Sequence, residues 1–278
     1  MRKLTKQDIE NYRLNLINEE KAEATIDKYL RDIQTFSVWL EGREFSKTDV
    51  LAYKNKLIKE YAPSSVNTVL SSLNSFFVFH EWYEMKVRTL KIQRQIFSSD
   101  ERELTKAEYE RLLTVAKQKN ERLYLLMQTI CSSGIRISEL RFVTVEAVNK
   151  GRADIQAKGK RRTVFFPKQL CQMLRQYLKE QNIKKGAVFV TRNGTPLNRS
   201  NIWTSMKKLC AEANVSAEKV FPHNLRHLFA RTYYTQQKDI VRLADILGHS
   251  SVNTTRIYTM ESGEVHRKQI QKLGLLRC

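Results

Sequence analysis

Apolar residues return at three- and four-residue intervals through the first part of the chain, as at Ile26, Tyr29, Ile33 and Phe36, which share one face of a helix. This spacing predicts helices over 5–19, 22–41, 46–60 and 63–83. Ser46 and Asp49 stand three apart at the head of the third, where each can satisfy the other's free backbone N–H. Pro63 suits the first turn of the fourth, a position that needs no amide hydrogen. The rhythm fades between Lys91 and Asp100 and resumes behind a second such pair, Thr105 and Glu108.

From there the pattern is mixed. It predicts helices over 108–117 and 124–132, a turn at Gly134 and a short helix over 138–142. Three β-type runs follow at 153–156, 163–166 and 188–191, punctuated by Gly151, Gly159 and Gly194. Apart from the last of these runs, the pattern from Cys171 onward is helical, including a helix over 240–247 that Gly248 can end. The expected architecture is mainly α: an N-terminal helical domain over 1–92, a linker over 93–103, and a second helical domain over 104–278 with a small antiparallel β-sheet.

Charge distinguishes the two halves. The 278 residues carry a formal net charge of +20, yet residues 1–100 hold 16 basic against 14 acidic side chains and the remainder hold 33 against 15. With 41% hydrophobic residues the chain can bury a substantial core, so it is neither disordered nor collagen-like. No run is apolar enough to span a bilayer, and the N-terminus lacks the apolar stretch of a secretory signal, so a cytoplasmic protein without membrane contact is expected. Cys131, Cys171, Cys210 and Cys278 are too widely spaced for a zinc knuckle or a disulfide framework. A soluble basic chain of this kind points to nucleic acid, and charge alone leaves an enzyme and a passive binder equally open.

Four short segments of the basic half carry candidate chemistry. In Ser133–Leu140 (SGIRISEL), Arg136 follows a glycine turn, and Glu139 lies three residues on, able to orient the guanidinium. Lys158-Gly159-Lys160-Arg161-Arg162 forms a basic turn between two predicted strands, where an ammonium can hold a phosphate or donate a proton. In Pro222–His227 (PHNLRH), His223 and Arg226 share a helix face, a pairing suited to phosphate. Last, His249 follows Gly248, and Tyr258 comes nine residues later, a possible covalent nucleophile if nearby cations favour its phenolate. Each alone also reads as a salt bridge, a solvated loop or a packed aromatic.

Together and in this order, SGIRISEL, KGKRR, HNLRH, LGHSS and TTRIY resemble the Arg, Lys, His-x-x-Arg, His, Tyr signature of the tyrosine recombinase (phage integrase) family. The preceding helices resemble that family's core-binding domain, and the compact layout is similar to Xer-like recombinases and simple mobile-element integrases. The resemblance implies that Tyr258 attacks a DNA phosphate to give a 3′-phosphotyrosine and a free 5′-hydroxyl, with Arg136 and Arg226 clamping the non-bridging oxygens. It further implies Lys158 as the acid for the leaving oxygen, His223 as an aid to proton transfer at Tyr258, His249 as a hydrogen-bond donor to the phosphate, and Glu139 as support for Arg136. No metal or cofactor is expected.

Two positions depart from the family pattern: Leu228, where Thr is common, and Met260, where His often stands. Lys160 would share a face with Lys158 if the strand ran that far; Lys158 is preferred because the family's lysine precedes the glycine. Tyr233 and Tyr234 are rivals to Tyr258 by residue type but precede His249, and His227 and His266 read as structural.

Lys150, Arg152, Lys160, Arg161, Arg162, Arg192, Arg199, Lys207 and Lys208 are candidate contacts to the DNA backbone. In the fourth predicted helix, Ser64, Ser65, Asn67, Ser71, Asn74 and Ser75 could approach a groove, or simply flank the packing of Val66, Leu70, Leu73 and Phe77. The family's implied partners are double-stranded DNA with inverted-repeat core sites and further protomers, as a homotetramer or with a paired related recombinase. Val265, Ile270, Leu273, Leu275 and Leu276 would then dock the C-terminal tail on a neighbour. The alternatives are a type IB topoisomerase-like enzyme and a site-specific DNA-binding regulator without catalysis.

Overall fold

The computed structural model describes residues 1–92, 103–157, 160–191, 193–258 and 271–272, with the backbone alone at 157 and 160. The chain divides into two compact units, Met1–Arg94 and Gln95–Cys278. The predicted linker (apart from Glu103), Lys158, Arg192, Met260, His266 and the tail residues Val265, Ile270, Leu273, Leu275 and Leu276 lie outside the described residues, as does the Lys160 side chain. Among the described residues no helix is long and apolar enough to cross a membrane.

The first unit packs four helices, α1 (Lys6–Asn18), α2 (Glu23–Leu40), α3 (Lys47–Glu60) and α4 (Pro63–Phe79). Asp49 starts α3 by accepting from the Ser46 amide and hydroxyl at 2.8 and 2.9 Å, a cap that contributes about 1 kcal/mol. The helical stripes meet in a core that includes Ile33, Phe36, Leu70, Leu73 and Phe77, all fully buried. The fourth helix stops short of the expected 83, and a 3-10 turn, Tyr83–Met85, follows it.

The polar positions of α4 divide by side. Asn74 donates to Val87 O at 2.8 Å and accepts from Val87 N at 2.9 Å; two turns earlier, Asn67 treats Leu90 the same way at 2.9 and 2.7 Å. Ser75 accepts from the Tyr12 hydroxyl at 2.7 Å. These three side chains are spent inside the unit, whereas Ser64, Ser65 and Ser71 face solvent.

The second unit contains α5 (Lys106–Lys119), α6 (Glu121–Ser133), a 3-10 turn (Ile137–Phe142), α7 (Val145–Lys150), β1 (Arg152–Ala157), β2 (Lys160–Phe165), α8 (Lys168–Glu180) and α9 (Arg199–Lys207). It continues with α10 (Pro222–Gln237), α11 (Ile240–Leu247) and α12 (Val252–Thr255), then a 3-10 turn over Arg256–Tyr258. Its core gathers Leu112, Leu126, Ile130, Ile135, Leu174 and Leu225. In the antiparallel hairpin, Ala153 pairs with Val164 and Ile155 with Arg162, so Arg162 lies on the buried face.

The third β-type run, 188–191, does not join this sheet. Val188 N bonds Val143 O at 2.9 Å, and the run forms only an isolated bridge, Val190 to Pro196. Its backbone is satisfied by the loop after the 3-10 turn and by its own return, leaving nothing to pair with β1 or β2.

Candidate active site

Two helix ends build the floor of the site. α6 and α11 both finish on a glycine in the left-handed region, Gly134 at φ 64° and Gly248 at φ 61°. A Cβ would fall 2.6 Å from the Phe229 ring at the first and 2.4 Å from Arg162 Cδ at the second, so conformation and space both select glycine. At the end of α11, the Gly248 and His249 amides bond back to Asp245 O and Ala244 O, each at 3.0 Å.

That closure leaves three consecutive carbonyls facing outward, and each takes an arginine. Arg162 donates to Ile246 O at 2.5 Å, Arg226 to Leu247 O at 2.7 Å and Arg136 to Gly248 O at 2.9 Å. Arg226 also donates to Gly134 O at the end of α6. Partial negative charge at helix C-termini favours cations at such positions.

Glu139 supplies the counter-charge. It is 5% exposed, and its carboxylate accepts from Arg136 N at 2.8 Å, from the Arg136 guanidinium at 2.9 Å and from Arg162 at 2.5 Å. Burial pushes its pKa up, but the hydrogen bonds from Arg162 and Arg136 outweigh this and hold it below the usual carboxylate range. Arg162, expected among the contacts to the DNA backbone, is thus turned inward to join β2 to Glu139 and α11. Period-two alternation explains it: with Val164 inside, Arg162 follows.

Arg226 is 2% exposed, and burial together with Arg136 and Arg162 lowers its pKa to about 10, leaving it charged at neutral pH. It approaches His249 Nε2 at 3.2 Å, and its charge acts on the Tyr258 hydroxyl. Tyr258 is 3% exposed, packed with Ala230, Leu243 and Leu247. Its pKa is raised, because desolvation outweighs the pull of Arg226 and Arg136 toward the phenolate. The cations are therefore present, but in the free chain they do not deprotonate the phenol.

Three histidines surround this pair. His249 stacks on Tyr258 with ring centroids 6.1 Å apart, and His227 meets Tyr258 edge-on at 4.7 Å and His223 at 4.5 Å. Desolvation and the neighbouring cations lower all three, His227 and His249 to about 4. A cavity of about 640 Å³ opens over the group, lined by Arg136, His223, Arg226 and His249 together with Arg199, Ser200 and Trp203 of α9.

Arg136, His223, Arg226, His249 and Tyr258, spread over four segments of sequence, are thus brought together with Glu139 beneath them. Tyr233 and Tyr234 only flank the small apolar cluster around Tyr258. Of the remaining cations, Lys150, Arg152, Arg161, Arg199 and Lys208 are exposed, while Lys207 bonds Ala217 O and lies 5.1 Å over the Trp203 ring. Sequence reading passed over Thr255, fully buried with its hydroxyl 2.8 Å from His249 Nδ1, and Trp203 at the cavity rim. No one-dimensional signal distinguishes Thr255 from Thr254. Trp203 carries one: it lies one helical turn from Arg199 and from Lys207.

Residues 102–264 match the phage integrase family, and residues 9–81 match the phage integrase N-terminal SAM-like domain. The chain is 30% identical to the tyrosine recombinase XerA of Thermococcus kodakarensis, covering 96% of this chain and 95% of the relative. It is 28% identical to the tyrosine recombinase XerD of Staphylococcus saprophyticus, covering 95% and 96%. Among solved structures, a lambda integrase (75–356) dimer bound to a COC′ core site superposes with a TM-score of 0.76 at 17% identity, over 94% of this chain and 97% of that one. XerH bound to palindromic difH substrate superposes at 0.73 with 18% identity, over 96% and 89%, and these two likenesses speak for the fold. With more than half its length matched to one family and Arg136, His223, Arg226, His249 and Tyr258 gathered at one site, the chain belongs to the phage integrase family and is an Xer-like tyrosine recombinase.

Proposed function

We propose that the chain cleaves and rejoins DNA at specific sites with Tyr258 as nucleophile, serving integration and excision of DNA or resolution of chromosome dimers in the cytoplasm. The observation that carries this reading is the burial of Tyr258 beside Arg226 and against the His249 ring, both of which line a cavity together with Arg136 and His223. The Tyr258 oxygen attacks the phosphorus as the bond to the 5′-oxygen breaks, giving a 3′-phosphotyrosine, and a 5′-hydroxyl of another strand reverses the step. Arg136 and Arg226 already donate to carbonyls, and Arg136 is also held by Glu139, so they meet the phosphate with little reorganisation.

The raised pKa of Tyr258 means that its proton leaves as attack proceeds, with His223 as the acceptor, its own pKa lowered by desolvation and by Arg226. Lys158 protonates the departing 5′-oxygen. Lys150, Arg152, Lys160, Arg161, Arg199, Lys207, Lys208 and Arg192 grip the backbone. Relatives crystallised as a dimer on a core site and as a tetramer on a Holliday junction support DNA binding and oligomerisation; a tetramer on two duplexes with inverted-repeat sites is our reading for this chain.

The test is a duplex selected by binding from a randomised library and nicked in its spacer to trap cleavage. Wild type forms a covalent protein–DNA adduct and Tyr258→Phe binds without forming one. An adduct from Tyr258→Phe, or none from wild type on DNA it binds, overturns the proposal.

A further inference from the structure

His249 has two ring nitrogens and two distinct partners. Nε2 stands 3.2 Å from an Arg226 guanidinium nitrogen, and Nδ1 stands 2.8 Å from the Thr255 hydroxyl oxygen. A guanidinium can only donate, so Nε2 must be the acceptor, and the neutral ring carries its proton on Nδ1 and donates it to Thr255. A protonated ring, or one with its proton on Nε2, would set two N–H donors against each other. Arg226, Arg136, Arg162 and His223 all disfavour extra charge on this ring, and Tyr258 covers its face.

The proposed chemistry requires the opposite face of the same ring. To hydrogen-bond a phosphate oxygen, His249 must present a proton on Nε2, after the phosphate has drawn Arg226 to itself. For a neutral ring, Nδ1 then becomes the acceptor and needs a donor opposite it. Among the described contacts, only a hydroxyl, which rotates between accepting and donating, can serve both states at one position. Thr255 supplies it, is fully buried, and sits on the short helix leading to Tyr258.

We propose that Thr255 is a positioning residue that sets the proton on His249: its hydroxyl accepts from Nδ1 in the free enzyme and donates to Nδ1 when a DNA phosphate occupies the site, leaving an Nε2–H to face the phosphate. The switch is balanced. Nδ1 releases one proton to water, Nε2 takes one from water, and the threonine hydrogen turns about the Cβ–Oγ bond without leaving oxygen. The inference rests on the reading of the site as a DNA-phosphate site, but its first half concerns the free protein alone.

Thr255→Val keeps the shape and removes the hydroxyl, and Thr255→Ser restores it. In free protein labelled with ¹⁵N-histidine and assigned with His249→Gln, the wild type and Thr255→Ser should show His249 predominantly protonated on Nδ1, while Thr255→Val, in which Arg226 alone holds the tautomer, should show a smaller Nδ1-protonated fraction. On the nicked duplex, adduct formation should slow about tenfold in Thr255→Val and recover to within about threefold in Thr255→Ser, at unchanged DNA affinity. An unchanged ¹⁵N pattern in a folded Thr255→Val overturns the proposal whatever the activity. So does equal slowing in both variants, which marks a purely structural residue. Absence of adduct in wild type, with the tautomer result intact, instead strikes at the reading of the function.

Discussion

Arg162 and Gly248 touch: the arginine side chain runs so close to the glycine that any Cβ there would lie 2.4 Å from its Cδ. This contact joins the β-hairpin to the end of α11, because the same guanidinium binds Ile246 O and Glu139. The histidine that follows Gly248 and the arginine that binds its carbonyl take their places from this junction.

Gly248→Ala should therefore damage the site twice over. The left-handed backbone costs a residue with a Cβ about 1–2 kcal/mol, and Arg162 must move away. Adduct formation on the nicked duplex should fall at least tenfold, with faster hydrogen exchange at the Gly248 and His249 amides.

Removing the charge of Glu139 leaves two guanidiniums, Arg136 and Arg162, without their shared counter-ion. Glu139→Gln also points an amide donor at arginines that can only donate. Breaking a buried pair in this way costs about 3–5 kcal/mol. A lower melting temperature for the second unit and at least a tenfold loss of adduct are expected, and calorimetry with the cleavage assay checks both.

Arg161 and Arg162 are neighbours in sequence with opposite destinations. Arg161→Gln should lower the slope of log affinity against log salt by about 0.9, the contribution of one phosphate, and leave stability unchanged. Arg162→Gln should do the reverse, lowering stability and leaving the slope. Salt titrations of DNA binding with parallel melting curves distinguish the two.

Asn67 and Asn74 hold the backbone of Leu90 and Val87. Alanine at either should cost about 1–3 kcal/mol by leaving polar groups unpaired and should speed exchange of the Leu90 or Val87 amide. The preferred DNA sequence should not change. An altered preference in a binding selection would show that these side chains read a groove instead.

Acid should weaken the second unit. His227 and His249 have folded pKa values near 4 against an ordinary 6.5, so between those values the unfolded chain binds more protons than the folded one. Stability is then complete above about pH 6.5 and falls as pH drops toward 4. Urea unfolding followed by hydrogen exchange in α10 should show a lower midpoint at pH 5 than at pH 7.5, and His227→Gln should reduce that difference.

Much of this protein is decided one residue at a time along the chain. Helical periodicity, the capping pairs at Ser46 and Thr105, and the turns at Gly134 and Gly248 are local, so the helices, their order and the two-strand hairpin are legible without a fold. The ordered motifs that mark the family are local too. What a side chain does once it arrives depends on groups distant in sequence. Arg162 needed the register of β2 against β1 and a helix end 84 residues away before it could be told from Arg161. Asn67 and Asn74 needed the chain to return along α4, and the third β-type run needed to find its partners elsewhere. Tyr258 illustrates the limit most clearly: its neighbouring cations are visible in sequence, but whether they or desolvation win at its hydroxyl is set by burial, a property of the packed structure alone.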